Sequence, residues 1–272
     1  MCGDSTSEED LDRLCGGERP IFVFTDPPYG VAIGSKNKAI NEVAPGRGGR
    51  IQQDIANDTM QPEELRVMLT KAFANLKRKS DPACSFYVSS PPGGELGMIM
   101  LQMMQEAGLP VRHQLVWVKN APTFSMGRLD YDYKHEPIFY TWADKHIFYG
   151  GFGNTVIDDT KPIDKMDKAE LKDLVRALQA DREESVIYCD KPLHASLHPT
   201  MKPVKLVARF MINSSKEGDL VADIFGGSGT TIIAAEQLKR RCIMMELDPH
   251  YCDVIIKRWE DYTGKKAERI KE

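Results

Sequence analysis

The chain has 272 residues, 42% of them apolar and 28% charged, with a formal net charge of −4. That length is enough to bury a sizeable core in one large domain, and the negative balance argues against a protein that coats nucleic acid nonspecifically, although a local basic groove stays open. No window approaches the roughly 18 apolar residues of a membrane span, the acidic start MCGDSTSEEDLDRLCGGE lacks an apolar signal core, and six cysteines (2, 15, 84, 189, 242, 252) without CxxC spacing read as reduced thiols of a cytoplasmic protein.

In chain order, residues 21–25 (IFVFT) read as a strand that ends at Asp26. Residues 30–60 form a long polar connection rich in Gly, Lys and Arg, of the kind that is usually functional. Residues 62–78 repeat apolar positions at helical spacing, with Pro62 suited to a first turn. A strand (84–90), a Met-rich helix (95–107) and two strands (114–120 and 137–143) follow, the last two joined by APTFSMGRLDYDYKHE. The methionines read as core filling. Residues 167–184 form a charged helix, read as a solvated face, and SVIYCD (185–190) is a candidate strand. An amphipathic helix (203–214), the strand LVADIF, the turn GGSGTT, a helix (230–239), the strand RCIMMELD and a helix (250–262) complete the order. Strands alternating with helices predict an α/β fold with a mostly parallel sheet. The rhythm breaks at 145–192, which reads as an insertion between a first half (1–144) and a second half (193–272) of one domain.

Two motifs carry chemistry. The first is Asp26-Pro27-Pro28-Tyr29, which places a carboxylate, a carbonyl without a competing N–H and an aromatic face at a strand's end. The second is DIFGGSGTT (223–231), a strand running into a glycine turn that opens a helix, where the main chain lets a ligand approach. Ile232 stands where a dinucleotide fingerprint has its third glycine, which weakens the case for NAD. Glu246, about 20 residues further on at the next strand's end, suits ribose hydroxyls, with a solvated acid as the competing reading.

Together these motifs resemble the S-adenosylmethionine-dependent DNA amino-methyltransferases. The order, DPPY first and the glycine motif last, is similar to the permuted beta class. HPTMKP (198–203), GRLDYDYKHEPIFYTW (127–142) and GDST (3–6) resemble further segments of that class. The resemblance implies a Rossmann-like methyltransferase sheet with an antiparallel hairpin strand and a small inserted recognition region. It implies S-adenosylmethionine as cofactor, double-stranded DNA as partner, a candidate homodimer, and a cytoplasmic, nucleoid-associated enzyme of the restriction-modification kind. Asp26 and the Pro27 carbonyl would accept the two hydrogens of an exocyclic amino group, localising its lone pair, and Tyr29 would stack on an extruded base. Phe225, Gly227, Ser228 and Gly229 would line the cofactor's methionine part, with Asp223 near its amino acid moiety. Glu246 would bind the ribose, Asp4 lie near the adenine, and Thr200 and Lys202 near the cofactor's carboxylate. Tyr133, His135 and Glu136 are candidates for base or DNA contact. Lys36, Lys38, Arg47 and Arg50, in the loop after Asp26, are candidates for phosphate contact.

The family pattern of DPPY with adenine and SPPY with cytosine makes adenine N6 the expected target and cytosine N4 the alternative. An NAD-dependent oxidoreductase and a catalytically silent DNA-binding module are the more distant readings. Tyr133 could equally pack between strands, and His135 reads as hydrogen-bonded structure. Cys189, His194 and His198 are three metal-ligand types without a fourth, so no metal is expected. MCGDST reads as the end of a strand whose body is missing, as in a chain cut from a longer protein.

Overall fold

Phe22–Thr25 (β1) is buried along its whole length, which an apolar strand achieves when both faces of its sheet are covered. The computed structural model describes residues 1–31, 38, 41–42, 59–119, 130, 132–150, 186–189 and 201–270. The elements are α1 (Glu8–Cys15), β1, α2 (Pro62–Lys79), β2 (Ser85–Ser89), α3 (Gly94–Glu106), β3 (His113–Val118), β4 (His135–Trp142), β5 (Val186–Tyr188), α4 (Val204–Ser214), β6 (Leu220–Asp223), α5 (Thr230–Gln237), β7 (Arg241–Met244) and α6 (Pro249–Thr263).

The seven strands form one sheet in the order β5-β3-β4-β2-β1-β6-β7. Every neighbouring pair is parallel except the two that involve β4, so β4 alone runs against the rest. Alternation along the strands divides the core. Val23, Phe86 and Val88 face α2 and α3, meeting Leu69, Phe73, Met100 and Met104. Phe22, Phe24 and Tyr87 face the other way, onto Leu206, Phe210 and Met211 of α4. The Tyr87 ring lies 4.6 Å from both Phe210 and Tyr140. The α3 methionines 100, 103 and 104 are core residues, as their spacing predicts.

After β1 the chain crosses to α2 on one face, and after β6 it crosses to α5 on the other. The strand order therefore reverses between β1 and β6, and a crevice opens at their carboxyl ends, where ligands of open α/β sheets bind.

The α/β class and the element order agree with the sequence reading, with one helix added. Ser7 accepts the Asp10 N–H as N-cap of α1, three acids occupy the first turn, and Gly16 closes the helix in the left-handed region. Ahead of α1, Cys2 bridges in parallel to Glu246, so residues 1–3 run beside the end of β7. Val186–Tyr188 pairs in parallel with β3 at the sheet's edge, so this piece of the 145–192 segment is sheet. The charged helix expected at 167–184 lies outside the described residues. All six cysteines are free thiols. Among the described residues no helix is long and apolar enough to cross a membrane.

Candidate active site

A cavity sits at the β1/β6 crevice. It is walled by Gly3–Ser5, Phe24, Asp26–Tyr29, Val31, Glu136, Met201, Lys202, Asp223–Ser228, Thr230, Thr231, Glu246, Leu247 and Tyr251. Most of the site residues expected from sequence thus share one cavity, although they come from both ends of the chain.

Its floor is a tied pair of strand ends. Asp223 is 4% exposed, and Oδ1 accepts from Thr25 Oγ1 at 2.8 Å and from the Phe225 N–H at 3.1 Å. Oδ2 accepts from Thr231 Oγ1 at 2.7 Å. Burial pushes the Asp223 carboxyl up to about 7, and these three donors hold it from rising further. The turn that follows uses Gly227 at φ 51° and Gly229 at φ 78°, both in the left-handed region that glycine tolerates. Gly229 does not border the cavity: it caps α5, and a Cβ on it would meet Ile255 at 3.2 Å. Ser228 is clamped from behind by Arg258, which donates to its carbonyl at 2.8 Å and to Oγ at 3.1 Å.

Glu246 closes the far wall. Its Oε2 accepts the Gly227 N–H at 2.8 Å and its Oε1 the Asp248 N–H at 3.0 Å. Burial raises its carboxyl above the usual range, against the pull of those two N–H groups. Asp4 is exposed at the rim, with Oδ1 accepting the Thr6 N–H at 2.8 Å. Phe225 presents its ring to the cavity and packs behind against Phe73 at 6.3 Å.

The opposite wall is a run of charges. Asp26 Oδ1 accepts from the Tyr29 hydroxyl at 2.7 Å, and Oδ2 from Lys202 Nζ at 2.6 Å. Lys202, 6% exposed, also pairs with Glu136 Oε2 at 3.3 Å. Glu136 Oε1 in turn takes Lys119 Nζ at 3.1 Å. Burial works to discharge Lys202, but Asp26 and Glu136 outweigh it and raise the ammonium's affinity for its proton. Burial, with Asp26 and Glu136 adding to it, holds the Tyr29 phenol well above its ordinary range, so the ring is neutral. Glu136 reaches this wall because β4 runs backwards: its first residues lie level with the carboxyl ends of β1 and β6.

Other expected residues fall elsewhere. Lys202 meets Asp26 and Glu136 through its ammonium. Tyr133 is exposed, edge-on to the His135 ring at 5.8 Å, and neither borders the cavity. Lys38 is exposed, while Lys36, Arg47, Arg50 and Thr200 lie outside the described residues, as do His194 and His198. Several contributors escaped the sequence reading, among them Thr25, Lys119, Thr231, Leu247 and Tyr251. Thr25 directly precedes the DPPY motif, and Lys119 directly follows β3, where a charge after the apolar run LVWV (115–118) was the available signal.

The donor set fits a cationic nucleoside cofactor. Asp4, Asp26, Glu136 and Glu246 border the cavity, and Lys202 is the one cation among its described lining residues. Glu246 turns its carboxylate to the cavity, and Phe225, Leu247 and Tyr251 supply aromatic and apolar wall.

The family described as DNA methylase (N6_N4_Mtase) matches residues 21–258. The Type II methyltransferase M2.LlaDCHI of Lactococcus lactis subsp. cremoris is 39% identical over 242 residues, 87% of this chain and 81% of that protein. M2.DpnII of Streptococcus pneumoniae, also a Type II methyltransferase, is 24% identical over 88% of this chain and 82% of its own. Among solved structures, the PvuII DNA methyltransferase (cytosine-N4-specific) superposes with a TM-score of 0.63 at 16% identity, covering 95% of this chain and 85% of the other. The M1.HpyAVI–SAM complex gives 0.58 at 19%, covering 95% and 97%. These two likenesses are of fold.

Proposed function

Since the chain belongs to the N6/N4 DNA methylase family, we propose that it methylates the N6 amino group of adenine in double-stranded DNA, on a base turned out of the helix. The observation that carries this reading is the Asp26 carboxylate standing beside the Pro27 carbonyl and the Tyr29 ring in the cavity that Glu246 and Phe225 also wall. The choice of adenine rests on the DPPY form of the motif. The PvuII likeness, at 16% identity, bears on the fold and leaves that choice untouched.

The cofactor is S-adenosylmethionine, which when bound supplies a methyl group activated on a sulfonium. Glu246 would take the ribose hydroxyls, the Phe225–Ser228 turn the methionine part, and the carboxylates of the wall favour the positive charge. The rest of the reaction belongs to the chain's own groups. Asp26 and the Pro27 carbonyl accept the amino hydrogens, which returns the nitrogen's lone pair from the ring to the direction of attack. Tyr29 stacks on the base, and to do so its hydroxyl releases Asp26 Oδ1, which then accepts from the amino group instead. Holding nitrogen and methyl in line provides much of the rate. Relatives named as Type II methyltransferases support reading the protein as the modification enzyme of a restriction-modification system.

The test is to incubate unmethylated plasmid with the protein and S-adenosylmethionine, then sequence the modified positions. N6-methyladenine at one recurring sequence is the expected result. N4-methylcytosine would move the target to cytosine, and no methyl transfer would refute the reading.

A further inference from the structure

Lys202 has a donor to spare. An ammonium carries three N–H groups. Asp26 Oδ2 takes one at 2.6 Å and Glu136 Oε2 faces another at 3.3 Å. No further side-chain partner of this ammonium occurs among the described residues; its remaining contact is with the Tyr29 ring, whose centroid lies 6.0 Å away. A base stacked on Tyr29 with its amino group at Asp26 therefore presents the neighbouring ring atom to Lys202.

We propose that Lys202 reads the ring nitrogen next to the methylated amino group, N1 if the target is adenine. This rests on the methyltransferase reading above. Asp26 Oδ2 lies 2.6 Å from Lys202 Nζ, so the carboxylate and the ammonium stand as acceptor beside donor. Adenine offers the complement, an amino donor beside a bare ring nitrogen, and so does cytosine. Thymine and guanine offer the reverse, a carbonyl beside an N–H, which would set a carbonyl oxygen against the Asp26 carboxylate and an N–H against the ammonium. Lys119 holds Glu136 from behind at 3.1 Å and Glu136 holds Lys202, so the donor is fixed before the base arrives. An ammonium shared by two carboxylates withdraws little charge from the base, so orienting the ring does not quench the amino nitrogen.

The experiment uses duplexes carrying the mapped site with adenine or 1-deazaadenine as target. Each target stands opposite an abasic position, so that extrusion costs the same. If the mapped target is cytosine, 3-deazacytosine takes the analogue's place. Wild type should lose about 10- to 100-fold in kcat/KM on the deaza base, the cost of one charge-assisted hydrogen bond. Lys202→Met should be slow on both and differ between them by less than about threefold, the non-additivity expected of two partners in one contact. Calorimetry should find S-adenosylhomocysteine binding to Lys202→Met within about threefold of wild type, which a cofactor-carboxylate role would not allow. Equal turnover of the two duplexes by wild type overturns the proposal even if the variant does not fold. The same loss on the deaza base in wild type and variant overturns it too. Neither result touches the methyltransferase reading, which falls only if the natural base is not methylated either.

Discussion

Thr25 Oγ1 donates to Asp223 Oδ1 at 2.8 Å, tying the ends of two adjacent strands whose residues are 198 apart in sequence. The DPPY turn and the glycine turn leave from those two ends, so this bond, together with the β1–β6 pairing, sets the spacing between the two motifs. Replacing Thr25 with Val keeps the shape and removes the donor. The expected cost is about 0.5–1.5 kcal/mol of stability, the net worth of one hydrogen bond, since Oδ1 keeps the Phe225 N–H. Urea unfolding that shows no change in midpoint would refute this role.

The same carboxyl makes stability depend on pH. Burial raises Asp223 from an ordinary 3.8 to about 7 in the folded protein, so the native state binds this proton more tightly than the unfolded chain. Its contribution is fully present below the unfolded value and is lost as pH rises through about 7. Asp223→Asn cannot titrate. The melting temperature of wild type relative to Asp223→Asn should therefore rise as pH falls from 8 to 5. A constant difference across that range would mean that the carboxyl is not raised.

Asp26→Ala should abolish labelled methyl transfer, with a loss of at least about 10²–10³-fold. It should leave S-adenosylhomocysteine binding near wild type. Lys202 keeps Glu136 as a partner in this variant, so the wall retains charge balance. Substantial residual turnover would show that the amino group is not activated through this carboxylate.

Glu246→Gln should weaken cofactor binding by roughly 1.5–3 kcal/mol, the worth of hydrogen bonds to a charged group. Calorimetry with S-adenosylhomocysteine measures it directly, and an unchanged dissociation constant would remove Glu246 from the ribose.

Arg47 and Arg50 are proposed to contact phosphates. Replacing both with Ala should weaken DNA binding and reduce the slope of log affinity against log salt by about 2, roughly 0.9 per phosphate. Parallel salt plots for variant and wild type would place these two side chains away from DNA.

The fold was legible wherever apolar periodicity was strong: β1, α2, the Met-rich α3 and the β6–α5 unit lie close to their expected positions. The short α1 was hidden because its eight residues carry only two buried side chains, and Ser7 and Gly16 alone marked its ends. At the site, residue types and motif order indicated Asp26, Phe225 and Glu246. What sequence could not supply was pairing across the chain. Lys202 was expected beside the cofactor; its contact with Asp26 joins residues 176 apart, and its contact with Glu136 depends on β4 running backwards, and no local pattern encodes either.

That reversed strand separates two kinds of inheritance. Asp223 and Glu246, with the glycine turn between them, hang from strands that end at the crevice, whereas Glu136 is delivered by a strand that begins there. A shift of β4 would therefore withdraw Glu136 from Lys202 while leaving β6, β7 and their turns as they are.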